Sequence, residues 1–139
     1  MPLWILDTDC LTLFQMKNTA MLDRIQRTSP EQLATTIVSA EEQLRGRLLF
    51  VRRSENQKKL SQAYGYLQGA IAFFQNITVL EFTPEAEAIY WQLKAQKINP
   101  GSRDLRIASI ALSLNATVVT RNRKDFQQVP NLMFTDWSV

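Results

Sequence analysis

The chain has 139 residues, 45% of them apolar and 21% charged, which predicts a single globular domain over residues 1–139, able to bury roughly two thirds of its unfolded surface. Its 16 Lys+Arg against 13 Asp+Glu leave a mildly basic net charge of +3, and the absence of histidine removes the commonest general base and the commonest zinc ligand. One cysteine, Cys10, excludes an internal disulfide, and apolar runs such as Ile107 to Leu114 fall short of the roughly 20 residues of a membrane span, so an unexported, cytoplasmic protein with no membrane partner is expected.

Taken in chain order, the first element is a β-prone run from Leu3 to Leu6, closed by Asp7 and Asp9 in the stretch WILDTDCL. Ser29-Pro30-Glu31-Gln32 predicts a helix beginning near Pro30. A second strand is expected over Thr36 to Val38, and Ser39-Ala40-Glu41-Glu42 has the spacing of a capping box, which predicts a helix from about Ala40. Glu55 to Gln75 has helical composition, with Leu60, Leu67, Ile71 and Phe74 on one face. A third strand follows at Ile77 to Leu80, then a helix opened by Thr83-Pro84-Glu85. The loop Asn99-Pro100-Gly101-Ser102 leads into a helix from about Arg103 to Leu114; Thr117 to Thr120 and, more weakly, Leu132 to Phe134 complete the strands.

Strands separated by helices imply parallel pairing with helices on both faces, hence a three-layer α/β/α sandwich around a mainly parallel sheet of four to five strands. Ile107, Ala108, Ala111 and Leu112 should pack on the sheet, and Phe73, Phe74, Phe82 and Trp91 are expected in the core.

In such a sheet, ligands bind beyond the carboxyl ends of the strands. Asp7 and Asp9 follow strand one, Glu42 follows strand two, and Asn122 and Asp125 follow Thr117 to Thr120. Asp104 opens the helix before that strand, so an antiparallel helix returns it to the same rim. Carboxylates gathered there would repel one another unless neutralised, and the fitting neutraliser is a hard cation, Mg2+ or Mn2+. Such an ion acidifies a coordinated water and accepts a phosphate oxygen, which supplies a nucleophile without histidine and points to phosphodiester hydrolysis. Each residue also has a plain structural explanation. Asp7 would serve as a turn residue, Asp9 as a helix cap, Glu42 as the partner of Ser39 in the capping box, and Asp104 as a complement to a helix dipole. Asp125 would form a surface ion pair, and Thr120 and Asn122 would lie in a turn.

LDTD, SAEEQLRG, DLRIASIAL and VVTRNRKDF with a terminal Trp resemble the motifs of PIN-domain ribonucleases, specifically VapC-type toxins of toxin-antitoxin pairs. The resemblance implies a PIN-like fold and metal-dependent cleavage of RNA, with Asp7, Glu42 and Asp104 at the three acidic metal positions. Asp125 or Asn122 would supply the fourth group, Thr120 would help to order the site, and Asp9 would stand where asparagine is often found. Ser39 belongs to the same second motif. It further implies a cognate antitoxin and a homodimer. Arg121, Arg123 and Lys124 flank the expected site and could hold RNA phosphates. Glu42 is preferred to Glu41 for its spacing to Gly46.

Two other readings compete. Strand-Asp-x-Asp is also how haloacid-dehalogenase phosphatases present a nucleophile and an acid, but no later Gly-Asp pair occurs here. A catalytically silent PIN-like domain that binds RNA is the other.

Overall fold

The computed structural model describes residues 2–56 and 58–139. Five strands, β1 (Trp4–Leu6), β2 (Leu33–Thr36), β3 (Thr78–Leu80), β4 (Thr117–Val119) and β5 (Met133–Thr135), form one sheet in the order β3-β2-β1-β4-β5. Every pairing is parallel, with Trp4 opposite both Leu33 and Thr117, and Val119 opposite Thr135. The helices are α1 (Thr8–Gln15), α2 (Thr19–Gln26), α3 (Ile37–Arg53), α4 (Leu60–Phe74), α5 (Pro84–Ala95), α6 (Ser102–Ser113) and the single turn α7 (Arg123–Phe126).

Successive strand residues point to opposite faces, and both faces here are apolar. Ile5 of β1 and Val118 of β4 join α5, α6 and α7 in one core, through Tyr90, Leu93, Ile107, Ile110 and Phe126. Their neighbours Leu6 and Val119 point the other way, into a core with Leu11, Met21, Leu33 and Trp137. The layered α/β/α architecture therefore follows from the strand alternation. The fully apolar helix stripe Ile107, Ala108 and Ala111 is buried as expected, with Leu112 packed beside it.

Four local expectations are corrected. The segment at Pro30 forms only a 3-10 turn, Pro30–Gln32, because Leu33 at once enters β2. Strand two ends at Thr36 rather than Val38, since the Thr36 hydroxyl accepts from the Ser39 amide at 3.2 Å and starts α3 at Ile37. Ser39 and Glu42 therefore lie inside a helix and form no capping box. Trp91 is 57% exposed and donates its indole N–H to Glu87, while Phe73, Phe74 and Phe82 are half-buried against the two cores. Helix α4 starts at Leu60, later than Glu55, and Gln57 of the expected segment lies outside the described residues.

Helix α6 ends in a tight reversal. Asn115 takes φ 52° and Ala116 N–H donates to the Ala111 carbonyl at 2.9 Å, the geometry of a Schellman cap. The chain then enters β4 beside β1, so the amino end of α6 is carried back to the carboxyl edge of the sheet.

Candidate active site at the carboxyl edge of the sheet

The chain builds β1, β2 and β3 outward on one side, then returns to place β4 and β5 on the other side of β1. The crevice at such a switch lies beyond the ends of the two diverging strands, β1 and β4. A cavity of about 310 Å³ opens there, lined by Asp7, Thr8, Asp9, Glu42, Gly101, Arg103, Asp104 and Asn122.

Asp7 is the N-cap of α1. Its carboxylate accepts from the Cys10 amide at 2.9 Å, and its own amide donates to the Val119 carbonyl, which ties the end of β1 to the end of β4. Helix capping thus belongs to Asp7, not to Asp9. The Asp7 side chain is buried, and burial raises its pKa above the ordinary carboxylate value; hydrogen bonds from Thr120 and Cys10 pull it partly back. Thr120 is itself buried and its hydroxyl also accepts from the Asn122 amide at 2.8 Å. One side chain therefore ties the Asp7 carboxylate to the loop after β4.

Asp104 sits in the first turn of α6. Its pKa is pushed up to about 6, first by burial and then by the negative charges of Asp7, Asp125 and Glu42. Asp104 thus feels three other carboxylates at this edge. The Asn122 amide bridges two of them, donating to Asp104 at 3.2 Å and to Asp125 at 3.0 Å. Glu42, on α3, pairs with Arg103 at 2.7 Å. Its neighbour Glu41 pairs with Arg45 at 2.7 Å instead. Asp125 touches the site through Asn122 and does not line the cavity.

Asp9 is exposed and held by Arg121 in a two-pronged ion pair at 2.7 and 3.0 Å. A phosphatase reading would need Asp9 working beside Asp7, whereas its oxygens are committed to a guanidinium. Arg123 and Lys124 lie in α7, exposed or nearly so, with no acidic partner among the described residues. Ser39 is buried and accepts from the Thr8 hydroxyl at 3.0 Å, so it fastens α3 to α1 behind the cavity.

Thr8 and Arg103 were not picked out as site residues by sequence reasoning. Thr8 carries no pattern of its own. Arg103 had a signal, since it directly precedes Asp104 and stands with Arg106, Arg121, Arg123 and Lys124 among the basic residues near the acidic ones that a phosphate backbone could use, but nothing showed that it would turn to Glu42.

The donor set consists of carboxylate, amide and hydroxyl oxygens, which suits a hard cation in kind. The burial and mutual repulsion that raise the Asp104 pKa are the features an ion would relieve. As the side chains stand, however, no three acidic or cysteine residues among the described ones are close enough together to hold one ion. Arg103 and the Asn122 amide fill the gaps between them.

No protein-family model matches the chain. Among curated proteins, Ribonuclease VapC2 of Rickettsia felis is 31% identical over 90 residues, covering 62% of this chain and 60% of that protein. Ribonuclease VapC1 of Haemophilus influenzae strain R2866 is 48% identical over 46 residues, 33% of this chain and 34% of that protein. The matches therefore span less than two thirds of those relatives. Solved structures align over nearly everything. VapBC-1 from nontypeable Haemophilus influenzae superposes with a TM-score of 0.77 at 24% identity, covering 99% of both chains. DNA-bound VapBC from Salmonella typhimurium also gives 0.77, at 22% identity and 99% of both chains. The fold expected from the motifs is the fold observed, a parallel-sheet α/β/α domain shared over nearly its whole length with those VapBC structures.

Proposed function

We propose that the protein is a Mg2+- or Mn2+-dependent endoribonuclease, the toxin of a VapBC-type pair, working in the cytoplasm as a homodimer and silenced by a cognate antitoxin. The observation that carries the reading is the convergence of Asp7, Glu42 and Asp104, with Asp125 behind them, at the β1/β4 switch, where burial and then the charges of Asp7, Asp125 and Glu42 raise the Asp104 pKa to about 6. The names of its relatives support the reading: curated ones are called Ribonuclease VapC, and solved structures include members of the VapBC family of toxin-antitoxin systems.

In this reading Asp7, Glu42 and Asp104 hold the ion, with Asp125 reaching it directly or through a water. A bound divalent ion would supply positive charge to a phosphate oxygen and acidity to a water. The chain's own residues do the rest. Thr120 and the Cys10 amide fix the Asp7 carboxylate, so its oxygens are aimed before anything binds. The Asn122 amide holds Asp104 and Asp125 at a set separation. Arg103 stands at the cavity wall, where it can pass from Glu42 to a phosphate oxygen once Glu42 is engaged elsewhere. Cys10 takes no part as a nucleophile, because burial and the Asp7 charge drive its thiol pKa far up.

The test is cleavage of a panel of single-stranded and structured RNAs by the purified, partner-free protein with Mg2+, Mn2+ or EDTA. Metal-dependent cutting that disappears in Asp7→Asn and Asp104→Asn supports the assignment. Cutting that survives Asp7→Asn overturns it.

A further inference from the structure

A second polar cavity, of about 420 Å³, adjoins the acidic one and shares Gly101 and Arg103 with it. Its other lining residues are Glu41, Arg45, Ser102 and Arg106. Three arginines thus face one glutamate, while the neighbouring cavity presents four carboxylates and one arginine. The sign of charge reverses across a single wall, the amino-terminal turn of α6.

We propose that this basic cavity binds the phosphodiester next to the scissile one in a single-stranded RNA, with Arg45, Arg103 and Arg106 as its ligands; the assignment rests on the nuclease reading. Arg106 has no carboxylate partner among the described residues. Its guanidinium lies over the Tyr90 ring, 5.4 Å from its centre, and also interacts with the Tyr90 hydroxyl, contacts that fix its direction while its remaining N–H groups can meet an anion. Among the described residues Arg45 pairs only with Glu41, one turn away on the exposed face of α3, a contact too weak to retain it against a phosphate. Arg103 is the shared member, and lies between the two cavities.

On the opposite flank, Arg121 is already matched by Asp9. On the α3/α6 side, Arg106 adds to the wall beside the acidic cavity a cation with no carboxylate partner among the described residues. A polyanion whose reacting phosphate sits among the carboxylates meets repulsion there, and an adjacent cationic pocket offsets it while fixing the strand's direction. Lys94 extends the same wall, its ammonium donating to the Ser102 hydroxyl at 2.5 Å and to Tyr90 at 3.3 Å.

The experiment measures binding of a short fluorescent single-stranded RNA in EDTA, across a salt series, so that no cleavage intervenes. Arg45→Gln and Arg106→Gln should each weaken binding about tenfold at low salt, and each should flatten the slope of log K against log salt by about 0.7. Arg106→Lys should recover most of the slope, and Arg27→Gln, remote from the cavity and paired with Asp23, should match wild type. Melting curves establish that each variant is folded. Wild-type protein that binds and cuts RNA while both glutamine variants match it in affinity and slope would overturn the subsite alone. Wild-type protein that neither binds nor cuts any RNA would remove the nuclease reading and the subsite with it. Loss of affinity for an oligoglutamate peptide, with RNA binding unchanged, would also overturn the proposal and give the cavity to an acidic protein partner.

Discussion

Replacing Asp104 with asparagine should stabilise the metal-free protein at neutral pH and leave it unchanged in acid. The carboxyl pKa stands at about 6 in the fold against 3.8 for the free group. A raised folded-state value means that the fold prefers the protonated form. Stability tied to this group is therefore complete below the unfolded value and is lost as pH rises through about 6. The shift corresponds to about 3 kcal/mol at roughly 1.4 kcal/mol per unit, and screening at this half-exposed site reduces it to about 1 to 2 kcal/mol. Asparagine keeps an oxygen to accept from the Asn122 amide and carries no charge. At pH 7.5 in EDTA, Asp104→Asn should melt roughly 3 to 8 °C above wild type, and at pH 4 the two should coincide. Thermal melts followed by circular dichroism read this directly. A variant that is less stable at pH 7.5, or that differs from wild type equally at both pH values, would refute the charge-repulsion account of this edge.

Three further outcomes follow from neighbouring residues. Asp7→Asn should abolish cleavage and the rise in melting temperature caused by Mn2+, yet keep or raise the metal-free stability at neutral pH, because asparagine caps a helix as well as aspartate does and removes a buried charge; a normal Mn2+ shift in this variant would remove Asp7 from the ion's ligands. Arg103→Ala removes the cation that pairs with Glu42, so Mn2+ affinity measured by titration calorimetry should increase about two- to fivefold, and weaker binding would show that Arg103 orients Glu42 rather than competes for it. Thr36→Ala deletes the cap of α3 and should lower stability by about 1 to 2 kcal/mol in urea unfolding, with an unchanged midpoint counting against Thr36 as the cap.

The last of these also marks where the sequence was legible and where it was not. Apolar runs at Leu3 to Leu6 and Thr117 to Thr120 could be read because two buried faces demand unbroken apolar strands. The β2–α3 junction could not. Thr36, Ile37 and Val38 favour a strand by intrinsic preference, and Ser39 with Glu42 imitates a helix start. Pairing with Trp4 and Ile5 fixes β2 at Leu33 and Ala34, and the Thr36 cap then carries Ile37 and Val38 into the helix. Tertiary pairing overrode local propensity at that point. Helix α2 went unread for a different reason: it is only eight residues long, so its apolar side, with Met21 buried and Ile25 packed on the core, spans barely two turns.

The site divides along the same line. Which carboxylates meet was recoverable from topology, since strand ends and a returning helix must share one edge. How their charges are balanced was not, because that depends on side-chain directions. Arg103 is the next residue to Asp104 in sequence, yet it turns to Glu42 on α3, and Asn122 spans Asp104 and Asp125 from the loop after β4. These two cationic or amide groups do without an ion what an ion would do with one, which is to separate and partly neutralise the carboxylates. If Glu42 became a ligand of a bound metal, Arg103 would be released from it, and the basic cavity that Arg103 already lines would offer it a place beside a phosphate. Metal binding and capture of the neighbouring phosphate would in that case be coupled through a single side chain. The coupling can be measured: Mn2+ should tighten RNA binding in an Asp125→Asn background by a larger factor when Arg103 is present than when it is alanine, and equal factors would leave the two cavities independent.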